Sequence, residues 1–137
     1  MNITPIRNVS FGRVYLSDDK STKDAVKAFV KDKNSLDFFS KTLDNLDLAS
    51  KNYSMELSAE KEKCAYVFYL NNNDIPGQKC SAAIPNSCMH TTWERREGFS
   101  KAMDHLVVGC ENLVETAETS VSEEDIDQLF NSRKIYK

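Results

Sequence analysis

Between positions 80 and 105 the chain gathers Cys80, Cys88, His90, Trp93, Arg95, Arg96, Lys101 and His105. Thiol with imidazole suggests nucleophilic catalysis, with Cys88 attacking and His90 or His105 as base. Such a cysteine must be a thiolate, which a helix N-terminus and nearby cations favour. Cys88 lies just before a predicted helix start and close to Arg95 and Arg96. No flanking signature accompanies it, and no catalytic residue is assigned. Zinc is the second chemistry. Its sites use close ligand pairs separated by two to five residues, whereas Cys88-Met89-His90 is tighter than that, and Cys80 lies a strand away. A fourth ligand would have to be Cys64, Cys110 or His105, so neither metal nor cofactor is expected. The plainer expectation makes Cys64, Cys80 and Cys110 small buried hydrophobes and leaves Cys88 in a loop.

The third chemistry is charge recognition. Arg95, Arg96 and Lys101 open the predicted helix beside His90 and Trp93, a setting that can hold a phosphate or an acidic partner. The alternative there is a solvated helix end with Trp93 capping the core. Further along, Glu111, Glu115, Glu118, Glu123, Glu124, Asp125 and Asp127 form an acidic run with no Lys or Arg between the first and the last. Glu123-Glu124-Asp125-x-Asp127 lacks the glycine turn and distal Glu of a calcium loop, and acids collect at helix starts for electrostatic reasons. Gly12, Gly77, Gly98 and Gly109 are scattered, so no phosphate-cradling loop is present.

The elements that must position these groups are legible in the periodicity. Phe99, Met103, Leu106, Cys110, Leu113 and Ala117 recur at helical steps, widened by Val107, Val114 and Val121. They predict one long helix over 91–119, opened by Thr91 and Glu94 as a capping box. Upstream, residues 11–16 read as a short strand. A helix opened by Ser21 with Asp24 as a capping-box-like start, running to about Lys33, would bury Ala25, Val26, Phe29 and Val30. A second, capped by Asn34-Ser35, would carry Leu36, Phe39, Leu43 and Leu46. Residues 53–58 alternate as a strand with one wet face, and 64–70 are apolar on both faces, as in a strand covered on both sides. A loop with Pro76-Gly77 in a type II turn precedes a third strand at 80–84. A short helix after Ser122, with Ile126, Leu129 and Phe130, closes the chain.

Adjacent strands with short links imply antiparallel pairing. The expected fold is therefore α+β: a small antiparallel sheet of three to four strands, packed on one face by the long helix and two to three shorter ones. One domain covers 1–137, with a lead-in at 1–10 and a frayed basic tail at 133–137. The long helix exceeds six-residue strands, which span about 20 Å. Its stripe must be completed by the N-terminal helices and a folded-back C-terminal helix, or by a second chain in a homodimer.

The order helix, three strands, helix over 36–118 resembles double-stranded-RNA-binding domains in topology. That family places a lysine-rich, glycine-containing turn at the start of its last helix. Here the place holds Thr92-Trp93-Glu94, with Glu94 and Glu97 opposing the arginines. The net charge of −3 supplies no global basic field for nucleic acid or an anionic membrane, and no apolar window approaches a membrane span. Residues 1–68 hold 11 Lys/Arg against 10 Asp/Glu, and residues 69–137 hold 7 against 11. Four cysteines in 137 residues are not a disulfide framework, so a cytoplasmic setting is expected. The functional expectation is a non-catalytic module that binds another protein, as an inhibitor or adaptor of bacterial or phage type. Nucleic-acid binding and a cysteine/histidine enzyme are the alternatives.

Overall fold

The computed structural model describes residues 13–135. The lead-in at 1–10, the first two residues of the strand expected at 11–16, and the last two of the basic tail lie outside the described residues. The order is β1 (Arg13–Leu16), α1 (Lys20–Phe29), α2 (Lys33–Ala49), β2 (Ser54–Lys61), β3 (Ala65–Asn72), β4 (Lys79–Pro85), a 3-10 turn (Asn86–Met89), α3 (Thr92–Thr119) and α4 (Glu123–Ser132). The fold is α+β, with a four-stranded sheet in the order β1-β2-β3-β4.

The strands β2, β3 and β4 form an antiparallel meander, with Leu57 facing Leu70 and Leu70 facing Cys80. Turn chemistry explains the tight links: Glu62 N–H donates to the Ala65 carbonyl at 2.8 Å, and Gly77 adopts φ 87° beside Pro76. The fourth strand departs from the all-antiparallel expectation. β1 runs parallel to β2, with Val14 opposite Met55 and Leu16 opposite Leu57. Two helices intervene and carry the chain back to the end at which β1 began, so the link is a crossover rather than a hairpin. Asp47 on α2 anchors β1 by accepting from the Val14 N–H at 2.8 Å.

Alternation sends Met55, Leu57, Ala59, Phe68, Leu70, Ala82 and Ile84 to one buried face. The helices cover that face alone. Val67 and Tyr69, expected under a second layer, point to the other side and are only half-buried. α1 is laced to β2, as Ser21 Oγ donates to the Ala59 carbonyl at 2.7 Å and Thr22 Oγ1 accepts from Ala59 N–H at 3.1 Å.

Each helix begins on a side-chain cap, though two caps differ from those expected. Asp19 caps α1 by accepting from Thr22 N–H at 2.8 Å. Asp32 caps α2 in a box with Ser35, which serves as its third residue rather than as its cap. Carboxylates win both places because they accept more strongly than hydroxyls. The Thr22 hydroxyl holds the Asp19 carboxyl below its ordinary value, and the Ser35 backbone N–H does the same for Asp32. Thr91 caps α3 with Glu94, and Ser122 caps α4 with Asp125, as the spacing predicts.

α3 buries Phe99, Ala102, Met103, Leu106, Cys110 and Val114. At about 1.5 Å per residue its 28 residues extend roughly 42 Å. Gly109 lets it approach β4 closely, since a Cβ there would lie 2.7 Å from Cys80 Sγ. Beyond Val114 the stripe runs out. Leu113 and Ala117 are half-buried, and Val121 is exposed. α2 covers the middle of α3, where the Cys110 thiol sits 3.5 Å from Met55 Sδ and 3.9 Å from the Leu46 carbonyl.

The C-terminal helix does not fold back. Every residue of α4 is exposed. Ser120 and Ser122 take extended backbone and lead the chain away from α3. Folding α4 along the end of α3 would set its own acids against Glu111, Glu115 and Glu118, a like-charge arrangement with no compensating cation on α4 until Arg133.

Candidate docking surface

The residues around the start of α3 are brought near one another but not into one site. Cys88 sits half-buried in the 3-10 turn. With Ser81, Ala83, Lys101 and His105 it lines an open groove of about 490 Å³ between β4 and α3. The hydrogen bonds made by thiols among the described residues are those of Cys110, so Cys88 and His105 share a groove without a hydrogen bond between them. His90 is exposed at the end of that turn. Trp93 is 69% exposed rather than capping the core, because its position after the Thr91 cap faces away from the Phe99 stripe.

Two of the three cations there are already engaged. Arg96 Nη2 pairs with Asp32 Oδ2 at 2.7 Å, tying the starts of α2 and α3 together, and Lys101 Nζ pairs with Glu97 at 3.1 Å. Arg95 is half-buried. Among the described residues no group of three His, Cys, Asp or Glu side chains is placed to hold a metal ion, and no helix is long and apolar enough to cross a membrane.

The four thiols separate by environment. Cys64 lies exposed in the β2–β3 turn instead of the core, because the tight reversal leaves its side chain no layer to enter. Burial pushes the Cys80 thiol up to about 11 and the Cys110 thiol up to about 12. Each unit removes about tenfold of the reactive thiolate. Alkylation at pH 8, mapped by peptide mass spectrometry, should therefore modify Cys64 first. Cys80 and Cys110 should lag an exposed thiol by roughly two orders of magnitude or more until the protein unfolds.

The acidic residues of α3, by contrast, come together along one groove. Glu111, Glu115 and Glu118 share one side of α3 and line a groove of about 600 Å³ against α2, with Asn45, Leu48, Ala49, Lys51, Val107 and Val114. Lys51 Nζ pairs with Glu118 at 3.2 Å, an exposed pair of small energetic weight. Past the break, Glu123, Glu124 and Asp127 are exposed on α4. The same helix presents Ile126, Leu129 and Phe130 to solvent, with Phe130 72% exposed. The spacing i, i+3, i+4 puts these three on one side. They read in sequence as core residues, since an amphipathic pattern does not say whether its apolar side finds a partner within the chain.

One feature has no local signal in sequence. Phe29 from α1, Phe38 from α2 and Phe99 from α3 converge, with Asn34, Ser35, Arg96 and Ser100, on a pocket of about 210 Å³. Phe29 and Phe99 stack with centroids 5.2 Å apart, and Phe38 meets Phe99 edge-on at 5.9 Å. No protein-family model matches the chain, and comparison with curated proteins and with solved structures finds no match.

Proposed function

We propose that this is a small, non-catalytic binding module whose acidic C-terminal arm engages another protein. The observation that supports it is α4: a capped helix, wholly exposed, carrying Ile126, Leu129 and Phe130 on one side and four acids in its first five residues. A helix stabilised at its start by a capping box is formed before it meets a partner, so docking costs little ordering entropy. Helix-in-groove recognition reads such anchors at i, i+3 and i+4. The acids extend over Glu111, Glu115 and Glu118, so the partner surface this arm suits is an apolar groove with a basic rim, reached by charge steering. An inhibitor or adaptor role fits a surface of this kind, and the free thiols of Cys64, Cys80, Cys88 and Cys110 suit a reducing cytoplasm.

The test is comparative capture from a nuclease-treated lysate of a plausible host. A specific protein held by the wild-type chain should be lost, by about tenfold or more, with Leu129→Asp/Phe130→Asp. Its retention should also fall as salt rises. Equal recovery by both chains would remove the arm as the binding element.

A second reading draws on the order α2-β2-β3-β4-α3, which is that of the double-stranded-RNA-binding topology, with Arg95 and Arg96 at the start of the last helix. It predicts retention that nuclease abolishes and that declines steeply with salt.

A further inference from the structure

We propose that α4 of one molecule docks in the aromatic pocket of a second copy of this chain. The inference rests on the reading of α4 as a docking helix and names its occupant. Three observations carry it.

The first is fit. Ile126, Leu129 and Phe130 make an unpartnered apolar edge. The pocket formed by Phe29, Phe38 and Phe99, at about 210 Å³, has room for one aromatic side chain. Phe130 is the one aromatic residue of α4 and can enter it, with Leu129 and Ile126 against the half-buried Phe38 and the rim. Aromatic pairs of this kind gain from edge-on contact beyond simple burial.

The second is charge. The pocket opens beside a locally basic stretch, residues 27–41, where four lysines (Lys27, Lys31, Lys33 and Lys41) stand against two aspartates (Asp32 and Asp37). Arg96 stands on the rim itself. The arm that would enter carries seven acids from Glu111 to Asp127 and no cation among them. The acidic arm of one molecule and the pocket surroundings of another are thus of opposite sign, while two acidic arms repel.

The third is reach. From Ser100 to Thr119 the rigid rise of α3 is about 28 Å. Three linker residues and the turns of α4 up to Phe130 supply about 24 Å for the return, before the length of the Phe130 side chain itself. A molecule could reach its own pocket only with linker and α4 stretched straight back along α3, and here α4 lies exposed instead. A neighbour has no such restriction. Two copies that exchange α4 mutually form a two-fold pair, its antiparallel α3 helices setting Arg95 and Arg96 of one near the acidic end of the other.

Sedimentation equilibrium on the full chain tests this. The wild type should move with concentration from 15.6 kDa toward twice that mass, and the association should weaken at least tenfold between low and high salt. Phe130→Asp, on an exposed helix, and Ser100→Trp, which fills the pocket, should each remain monomeric with unchanged circular dichroism. Mixed together they should pair again, more weakly than the wild type, through the one intact helix and the one intact pocket. If Ser100→Trp does not fold, Arg96→Glu replaces it as the pocket variant. A wild type that stays monomeric, single variants that still associate, or a mixture that stays monomeric would each overturn the proposal. A monomeric wild type whose capture of another protein still depends on Phe130 would remove only the second copy as occupant and leave the docking-helix reading in place.

Discussion

Phe99→Ala is expected to destabilise the protein by about 3–5 kcal/mol, a drop in Tm of roughly 10–20 °C for a domain of this size. Thermal melts followed by circular dichroism measure it. Phe99 is 3% exposed and meets four other rings. It stacks on Phe29, and lies 5.8 Å from Phe39, 5.9 Å from Phe38 and 5.9 Å from Phe68 between ring centroids. Those partners come from α1, α2 and β3, so one side chain of α3 ties three other elements together. Truncation removes its own transfer free energy and also leaves a void that four rigid rings cannot collapse to fill. Phe38→Ala is the internal comparison. Its ring is half-buried at the pocket edge, and its loss should cost less than half as much. Equal losses for the two would show that the ring cluster, rather than Phe99, is the unit of stability.

Gly109→Ala should also destabilise, by about 1–3 kcal/mol, although alanine is the better helix former by up to about 1 kcal/mol. The added Cβ would sit 2.7 Å from Cys80 Sγ and 3.2 Å from Cys80 Cβ. Cys80 lies on β4 and points at the helix, so relief requires α3 to lift from the sheet or the thiol to leave its rotamer. The decisive measurement is a double-mutant cycle in urea. Cys80→Ala removes the sulfur that clashes, and the pair Cys80→Ala/Gly109→Ala should recover at least about 1 kcal/mol relative to additivity. Additive losses would mean that Gly109 matters for a reason other than the approach to Cys80.

The helices were readable because their signals are local. Thr91 with Glu94 and Ser122 with Asp125 sit within one turn of the backbone they cap, and the stripe from Phe99 to Val114 needs only its own periodicity. The two mis-assigned caps show the limit of the same rule. Asp32 and Ser35 both accept readily, and a single sequence does not rank a carboxylate two residues upstream over an Asn-Ser pair. Strand direction was not readable. Arg13 to Leu16 alternates identically whether it pairs up or down, and only the path through α1 and α2 makes β1 parallel. The candidate site divides the same way. Glu111, Glu115 and Glu118 are near neighbours in sequence and line one groove, whereas Phe29, Phe38 and Phe99 share a pocket only through the tertiary fold. The exposure of α4 was hidden for a further reason: its apolar residues follow the pattern of a core helix, and the charge repulsion that keeps it off α3 emerges only once both helices have directions.

The parallel pairing of β1 sets an order of assembly. β2, β3 and β4 close through short reversals, and their first contacts, such as Lys61 with Tyr66, are near neighbours along the chain. β1 meets Met55 and Leu57 only after both N-terminal helices have been traversed. The entropy of closing so long a loop is spent before any pairing rewards it. The meander with α3 is therefore the folding nucleus that topology favours, and β1 joins a sheet already formed. In the finished molecule the same asymmetry persists. Four residues at the sheet margin, fastened by backbone pairing and one bond from Val14 to Asp47, open at lower free energy than the three strands beside them.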